Sequence, residues 1–251
     1  MGGTTEKIVQ KYQKFRNNFV AASTIFTDNS KLLIFYPTLI SKDNFSKNFK
    51  FVYIGENKKI ENKKSLEIWK NHNKKILDDL KLLDQTDFWS DLIDINTDPV
   101  QEIYVDIKSL VRLELVNELN KILNDKFILV GSNWKKLYPE ALESNFANKY
   151  VENIYRGNIC VDFGSKNSER CIYPRSCKII ESGGLLFQSI HKDSEDIFKD
   201  LFNETCFKSL HDMKEKINFF LNNTDKIERL FLRQQKNFET DDLNYKTIKK
   251  I

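Results

Sequence analysis

The chain has 251 residues, of which 40% are hydrophobic, enough to bury one sizeable core but hardly two full domains. Charged residues make up 30% of the chain and nearly cancel, leaving a formal net charge of +4 at pH 7. Nucleic-acid-binding proteins usually concentrate positive charge more strongly, so we expect no nucleic acid among the partners. No apolar run approaches the roughly 18 residues that a membrane span needs, and no secretory signal opens the chain, which predicts a cytoplasmic protein.

Residues that bind metals or form disulfides are sparse. The cysteines show no Cys-x-x-Cys pairing and are too few for a disulfide framework, which predicts reduced thiols. They are Cys160, Cys171, Cys177 and Cys206. The three histidines have no carboxylate or thiol at ligand spacing. We therefore expect no metal ion and no other cofactor.

The first predicted elements are a helix and two short apolar runs. Apolar side chains recur at helical spacing over residues 8–19, so we expect residues 1–30 to form an N-terminal helix or interdomain element. The apolar runs are residues 31–36 and 49–55, and we expect both to be strands of one sheet.

A lysine-rich helical segment follows, and we expect it to form an insertion over about residues 58–106. Its predicted apolar face consists of Leu66, Trp69, Ile76, Leu80 and Leu83. The lysines on its other faces suit solvent, an anionic membrane surface or nucleic acid. Acidic neighbours interrupt them, which favours a solvated face and leaves peripheral membrane contact as the main alternative.

The rest of the chain alternates strands with helices. Strands are predicted at residues 127–130, 158–163, 185–188 and 206–207. Helices are predicted at residues 115–123, 139–150, 194–202, 213–222 and 227–238, and from Pro174 onward. This rhythm predicts an α/β fold, a Rossmann-like parallel sheet with helices on both faces. We expect this domain to span residues 31–240 and residues 241–251 to form a C-terminal tail.

The most informative segment is the polar loop and short helix after the strand at residues 158–163. Ligands of open parallel sheets bind at the carboxyl ends of the strands. Pro174 opens the helix, whose free N–H groups and dipole suit a diphosphate. The cations predicted to stabilise such a group are Arg170, Arg175 and Lys178. Other predicted substrate-binding residues of the segment are Ser165, Tyr173, Ser176, Glu181, Gly183 and Gly184.

Each of these residues also has a purely structural interpretation. Arginine and glutamate can pair on a surface, Gly183 and Gly184 can simply end the helix, and Tyr173 can be a packing residue. The ordered set after a strand favours a site. We expect Arg175→Ala to abolish nucleotide binding while the melting temperature stays nearly unchanged.

Residues 173–188 resemble the pattern Arg-x-Phe-Glu-x-x-Ala-x-Gly-Gly and its following apolar strand. That pattern belongs to the C-terminal, nucleotide-sugar-binding domain of GT-B glycosyltransferases of group 1, especially the CgeB-like group. Other parts resemble that domain in the same order, at residues 51–55, 112–123, 127–134 and 206–222. The resemblance implies donor-site roles for Gly55, Gly131 and Trp134, with core packing as the alternative for Trp134.

Two departures from the family pattern stand out. Lys178 occupies the position of the family's nucleotide-ribose glutamate, and Glu181 is the nearest carboxylate on this helix. The acceptor domain of a complete GT-B enzyme also has little counterpart here, so we expect a further N-terminal domain or a partner chain.

The resemblance implies transfer of a sugar from a nucleotide-sugar donor to a glycan or cell-envelope acceptor, as in polysaccharide biosynthesis. No Asp-x-Asp motif stands at a strand end, so we expect a metal-independent reaction. The alternative is a non-catalytic Rossmann-like binding or scaffold domain that has lost transferase activity.

Overall fold

The computed structural model describes residues 25–26, 32–33, 45, 48–94, 98–143, 148–164 and 171–238. The strands are β1 (Ile25–Phe26), β2 (Leu32–Leu33), β3 (Phe51–Ile54), β4 (Phe127–Val130), β5 (Ile159–Asp162), β6 (Leu185–Ser189) and β7 (Cys206–Phe207). The helices are α1 (Lys63–Asp78), α2 (Thr86–Ser90), α3 (Val100–Leu123), α4 (Asn148–Tyr155), α5 (Pro174–Glu181), α6 (Ser194–Phe198), α7 (Phe202–Thr205), α8 (Leu210–Asn222) and α9 (Thr224–Asn237).

Five of the strands form one parallel sheet in the spatial order β4-β3-β5-β6-β7. A single-residue parallel bridge adds Leu142 beside Val130 at the β4 edge. If Leu142 is counted as the third strand in chain order, the sheet has six strands. Their spatial order is then 3-2-1-4-5-6, as in dinucleotide-binding folds. The strand order reverses between β3 and β5, which puts the expected ligand crevice at their carboxyl ends. The predicted Rossmann-like α/β fold is confirmed.

The central strands β3, β5 and β6 are buried along their whole length. On one face of the sheet, the ring of Phe220 from α8 lies 6.4 Å from that of Phe51 and 5.3 Å from that of Phe187. Strands covered on both faces are typically continuous apolar runs. Asp162 and Gln188 break that rule: they are register partners at the carboxyl ends of β5 and β6, and both are 0% exposed.

The lysine-rich segment packs against α3, between β3 and β4 in the chain. It consists of α1, a 3-10 turn (Leu80–Asp84) and α2. The buried stripe of α1 passes through Ser65, Ile68 and Ile76. The prediction that Leu66 belongs to the apolar face is wrong, since this side chain is 42% exposed.

Two predicted elements differ from the structure. Leu32–Leu33 pairs antiparallel with Ile25–Phe26, so the expectation that it shares a sheet with β3 is wrong. Residues 139–143 are turns and the Leu142 bridge, and the helix after them is α4. Leu142 instead forms backbone hydrogen bonds with the end of β4. Its N–H donates to the Leu129 carbonyl (2.8 Å), and its carbonyl accepts from the Gly131 N–H (2.9 Å). These bonds outweigh the helical periodicity of residues 139–150. The predicted helix over residues 8–19 and the tail at 241–251 lie outside the described residues.

All four cysteines are free and buried. Burial raises the pKa of Cys206 to about 12 and the pKa values of Cys160 and Cys171 well above the ordinary range. None of the helices in the described parts of the chain has both the length and the apolar composition to cross a bilayer.

Candidate functional site

A buried carboxylate organises the carboxyl edge of the sheet. Asp162 ends β5, and its Oδ1 accepts hydrogen bonds from the Tyr173 hydroxyl (2.5 Å) and the Gly164 N–H (3.2 Å). The same oxygen lies 3.5 Å from Nη1 of Arg175. A charge with no solvent exposure needs such donors, because burial of an unpaired carboxylate is costly. Oδ2 has no hydrogen-bond partner among the described residues.

Asp162 thereby fixes the start of α5. Tyr173 precedes the helix and Pro174 is its first residue, where the missing N–H costs nothing. The Ser176 hydroxyl accepts from the Tyr173 N–H (2.7 Å) and donates to the Tyr173 carbonyl (2.8 Å). Ser176 therefore caps the helix. The predicted helix from Pro174 is confirmed, and its first turn directs free N–H groups and the positive end of its dipole to the carboxyl edge.

The charge states at this helix start follow from the contacts. Burial raises the pKa of Tyr173 well above its usual value, and the neighbouring Asp162 raises it further, although Arg175 opposes the shift. Burial, the largest single effect on Arg175, lowers its pKa, but the electrostatic effects of its neighbours, Tyr173 and Asp162 first among them, raise it, and the net pKa is raised. At neutral pH Arg175 is therefore a guanidinium cation and Tyr173 a neutral phenol.

A second arginine reaches the same edge from α3. Arg112 is 4% exposed, and its Nη2 donates to the Gly164 carbonyl at 2.9 Å. Its Nε has no hydrogen-bond partner within the described parts of the chain. Two guanidinium groups from different helices therefore converge on the turn that follows β5.

His191 and Gln188 complete the edge. Gly164 has φ +74°, and a Cβ added there would lie 2.1 Å from Nε2 of His191, so the imidazole fills the space beside this turn. Gln188 is fully buried beside Asp162 in the strand register, and neither atom of its amide has a partner in the described chain. Unpaired buried polar atoms are rare in native folds and call for an explanation.

The glycines and tryptophan implied by the family resemblance form one packed unit at the ends of β3 and β4. Trp134 is 1% exposed and donates from Nε1 to the Gly55 carbonyl at 2.6 Å. A Cβ on Gly131, which has φ +144°, would lie 1.8 Å from the same carbonyl oxygen. The Trp134 ring meets Tyr53 edge-on at 6.2 Å, an arrangement that fits the packing alternative for this indole.

Four predicted site residues are not brought to the carboxyl edge. A helix that joins two parallel strands runs back along them, so α5 ends at the opposite edge. Gly183 and Gly184 lie there, where their carbonyls accept from Gly157 N–H (2.9 Å) and Gln234 Nε2 (3.0 Å). Glu181 is 1% exposed in the last turn of α5, and Lys178 pairs with Glu152 of α4. Arg170 and Ser165 lie outside the described residues.

The sequence analysis did not predict four residues that lie at the carboxyl edge of the sheet: Asp162, Gln188, Arg112 and His191. The first two carried a signal, because each is a polar residue at the end of an otherwise apolar run. Arg112 and His191 carried none, since both reach Gly164 through contacts distant in sequence. Where the chain is described, no group of three or more His, Cys, Asp or Glu side chains is placed to hold a metal ion.

Comparison with known proteins points to one family. No curated protein and no solved structure matches the chain. A family model described as glycosyl transferase-like matches residues 112–248. The match covers more than half of the 251 residues, including Arg112, Asp162 and the whole of α5. The chain therefore belongs to the glycosyl transferase-like family.

Proposed function

We propose that the chain is the nucleotide-sugar-binding half of a GT-B glycosyltransferase of the CgeB-like group. In this proposal the donor's diphosphate binds at the carboxyl edge of the sheet, at the start of α5. The observation that carries it is the convergence of Arg112 and Arg175 on the turn from Asp162 to Gly164. That turn lies beside the strand-order reversal, where α/β sheets bind their ligands.

The proposed chemistry is stabilisation of the leaving group. As the bond between the anomeric carbon and the diphosphate breaks, its electron pair leaves with the nucleoside diphosphate, and negative charge grows on the phosphate oxygens. Arg175, Arg112 and the first N–H groups of α5 would offset that charge from positions already set by the fold. Asp162 acts as a positioning residue, because it holds Tyr173 and Arg175 in place.

The proposal extends to the metal requirement, the acceptor and the location of the reaction. The two arginines supply the positive charge, so transfer proceeds without a metal ion. The acceptor is a glycan or cell-envelope molecule, as in polysaccharide biosynthesis, and the reaction takes place in the cytoplasm or at a membrane surface. A second domain or partner chain supplies the base that deprotonates the acceptor hydroxyl.

A nucleotide panel tests the donor site. UDP, GDP, CMP and dTDP are titrated into the protein by thermal shift and calorimetry, and at least one is expected to bind and raise the melting temperature. Arg112→Gln keeps a hydrogen-bond donor near Gly164 but removes the positive charge. We expect this variant to lower the affinity for that nucleotide by roughly tenfold or more. Arg229→Gln, the same change at an exposed arginine of α9, is the matched control. A folded protein that binds none of the four nucleotides would instead support the scaffold alternative.

A further inference from the structure

A second concavity lies beside the proposed donor site, at the carboxyl end of β6. Its volume is about 280 Å³, slightly below the range of about 300–1,000 Å³ typical of small-molecule sites. One wall comes from the lysine-rich segment, through Lys81, Asp84 and Gln85. The other wall comes from the residues that follow β6 and from Phe202 at the start of α7. A cleft of this size suits a single sugar ring rather than a whole nucleotide sugar.

Side chains of both charge signs line this cleft. Lys81 and Lys192 are positive, and Asp84 and Glu195 are negative. A phosphate or an ammonium group would therefore meet repulsion as well as attraction from the lining. Phe202 adds an apolar surface that suits the C–H face of a sugar. The lining thus fits a neutral ligand with both hydroxyl groups and an apolar face.

A buried polar pair, His191 and Asp84, is among the residues that line the cleft. The side chains of His191 and Asp84 are 4% and 9% exposed, and His191 Nδ1 lies 3.5 Å from Asp84 Oδ2. That separation exceeds a normal hydrogen bond, and His191 Nδ1 has no hydrogen-bond partner among the described residues. Lys108 lies 3.6 Å from Asp84 Oδ1, an ion-pair contact that leaves this oxygen without a hydrogen bond. A hydroxyl group both donates and accepts, so it can serve the carboxylate and the imidazole together.

The cleft adjoins the donor site through one residue. The imidazole of His191 packs on Gly164, and the Gly164 N–H donates to Asp162, which holds Arg175. We propose that this cleft binds a neutral saccharide, the sugar ring of the acceptor, between the lysine-rich segment and the carboxyl end of β6. The inference rests on the proposed function, because an acceptor must lie next to the donor. It also gives the lysine-rich segment a role as the wall that carries Asp84.

Saturation-transfer NMR tests the cleft without nucleotide. The probes are glucose, galactose, mannose and N-acetylglucosamine, with glucose 6-phosphate as the charged comparison. At least one neutral sugar is expected to show saturation transfer, and Gln85→Ala and Asp84→Asn are each expected to weaken its binding several-fold. Gln85 is exposed, so its variant should fold normally even if Asp84→Asn does not. Asp87→Asn makes the same chemical change at an exposed position of the same segment and is the matched control.

The outcomes separate this inference from the donor proposal. No transfer to any neutral sugar, transfer that survives both cleft variants, or preferential binding of glucose 6-phosphate would each overturn it. Sugar binding that is lost in the cleft variants supports it, and it does so even in a protein that binds no nucleotide. Nucleotide binding that persists without any sugar signal overturns this inference alone.

Discussion

Gln188 lies within β6 near its carboxyl end, Gln234 of α9 contacts the amino end of the same strand, and both are 0% exposed. At the amino end, Gln234 Nε2 donates to the Gly184 carbonyl (3.0 Å) and Oε1 accepts from the Leu186 N–H (3.0 Å). At the carboxyl end, neither amide atom of Gln188 has a partner in the described chain. Gln234 is therefore part of the hydrogen bonding of the fold, while the amide of Gln188 remains available to a ligand.

Three further side chains show the same contrast between the two edges. At the amino edge, Asn158 Oδ1 accepts from the Lys50 N–H (2.7 Å) and Nδ2 donates to the Ile154 carbonyl (2.8 Å). At the carboxyl edge, Asp162 Oδ2 and Arg112 Nε have no hydrogen-bond partner among the described residues. The amino edge is not free of such atoms, since Ser182 Oγ at the end of α5 also lacks a hydrogen-bond partner among the described residues. The contrast therefore rests on the five side chains compared, and the unpaired atoms of Gln188, Asp162 and Arg112 favour a ligand at the carboxyl edge.

The largest expected effect is on stability at the amino edge. Gln234→Met keeps the side-chain volume but leaves the Leu186 N–H and the Gly184 carbonyl buried without partners. We expect the free energy of unfolding to fall by about 2 to 5 kcal/mol. Urea denaturation measures the change. A loss below about 1 kcal/mol would mean that the two edges do not differ in the way described.

Arg175→Ala should affect both stability and binding, because the arginine belongs to the fold and to the proposed site. We expect nucleotide affinity to fall by roughly tenfold or more and the free energy of unfolding by about 1 to 3 kcal/mol. The second effect revises the expectation of an unchanged melting temperature, since the variant leaves Asp162 buried with one cation fewer. Calorimetry and denaturation measure the two effects separately.

Lys178→Ala is the companion variant on the same helix. Its partner is Glu152 of α4, and the pair is partly exposed, so we expect stability to change by less than about 1 kcal/mol and nucleotide affinity hardly at all. A large loss of nucleotide affinity would instead support the predicted role of Lys178 in stabilising the leaving group.

Gln188→Met tests the carboxyl edge without disturbing the fold. Since the amide makes no internal hydrogen bond, we expect the free energy of unfolding to stay within about 1 kcal/mol of the original value, or to rise. Nucleotide-sugar affinity is expected to fall by several-fold in the same protein. A strongly destabilised variant would show that Gln188 is as structural as Gln234.

A further small effect on stability concerns Glu118, whose ion-pair partners both belong to the fold. Glu118 on α3 pairs with Lys121 and with Lys214 of α8, and its hydrogen bonds, that to Lys121 first, lower its pKa. A lowered pKa stabilises the fold above the unfolded value, near pH 4.3, and this stabilisation is lost as pH falls through the folded pKa. Denaturation curves of Glu118→Gln and the original chain, recorded at falling pH, are expected to differ by about 0.5 to 1 kcal/mol at neutral pH and to converge in acid.

Much of the fold could be predicted from local patterns. The strand at residues 127–130 has the predicted bounds, and α5 was located by Pro174 at its start and the glycine pair after its end. Those signals act within a few residues of chain. The pairing of Leu32–Leu33 could not be predicted in this way, because an apolar run indicates a strand without naming its neighbour.

The candidate site was predictable only at the start of α5. Arg175 and Tyr173 lie where the proline and the preceding strand indicate. The opposite end of α5 was misplaced because sequence proximity suggested that one ligand could touch the whole helix, whereas its two ends lie at opposite edges of the sheet. Arg112 joins the site from 52 positions before Gly164, a contact that no local pattern contains.

The contact between Gly164 and His191 also bears on how the sequence can evolve. A side chain at position 164 would need room that the imidazole occupies, and it would sit in a left-handed backbone conformation. Relatives that keep histidine at position 191 are therefore expected to keep glycine at 164. Replacement of the histidine by a smaller residue opens space, while a side chain added first at 164 collides. Substitutions at these two positions should consequently arise in one order, with 191 changing before 164.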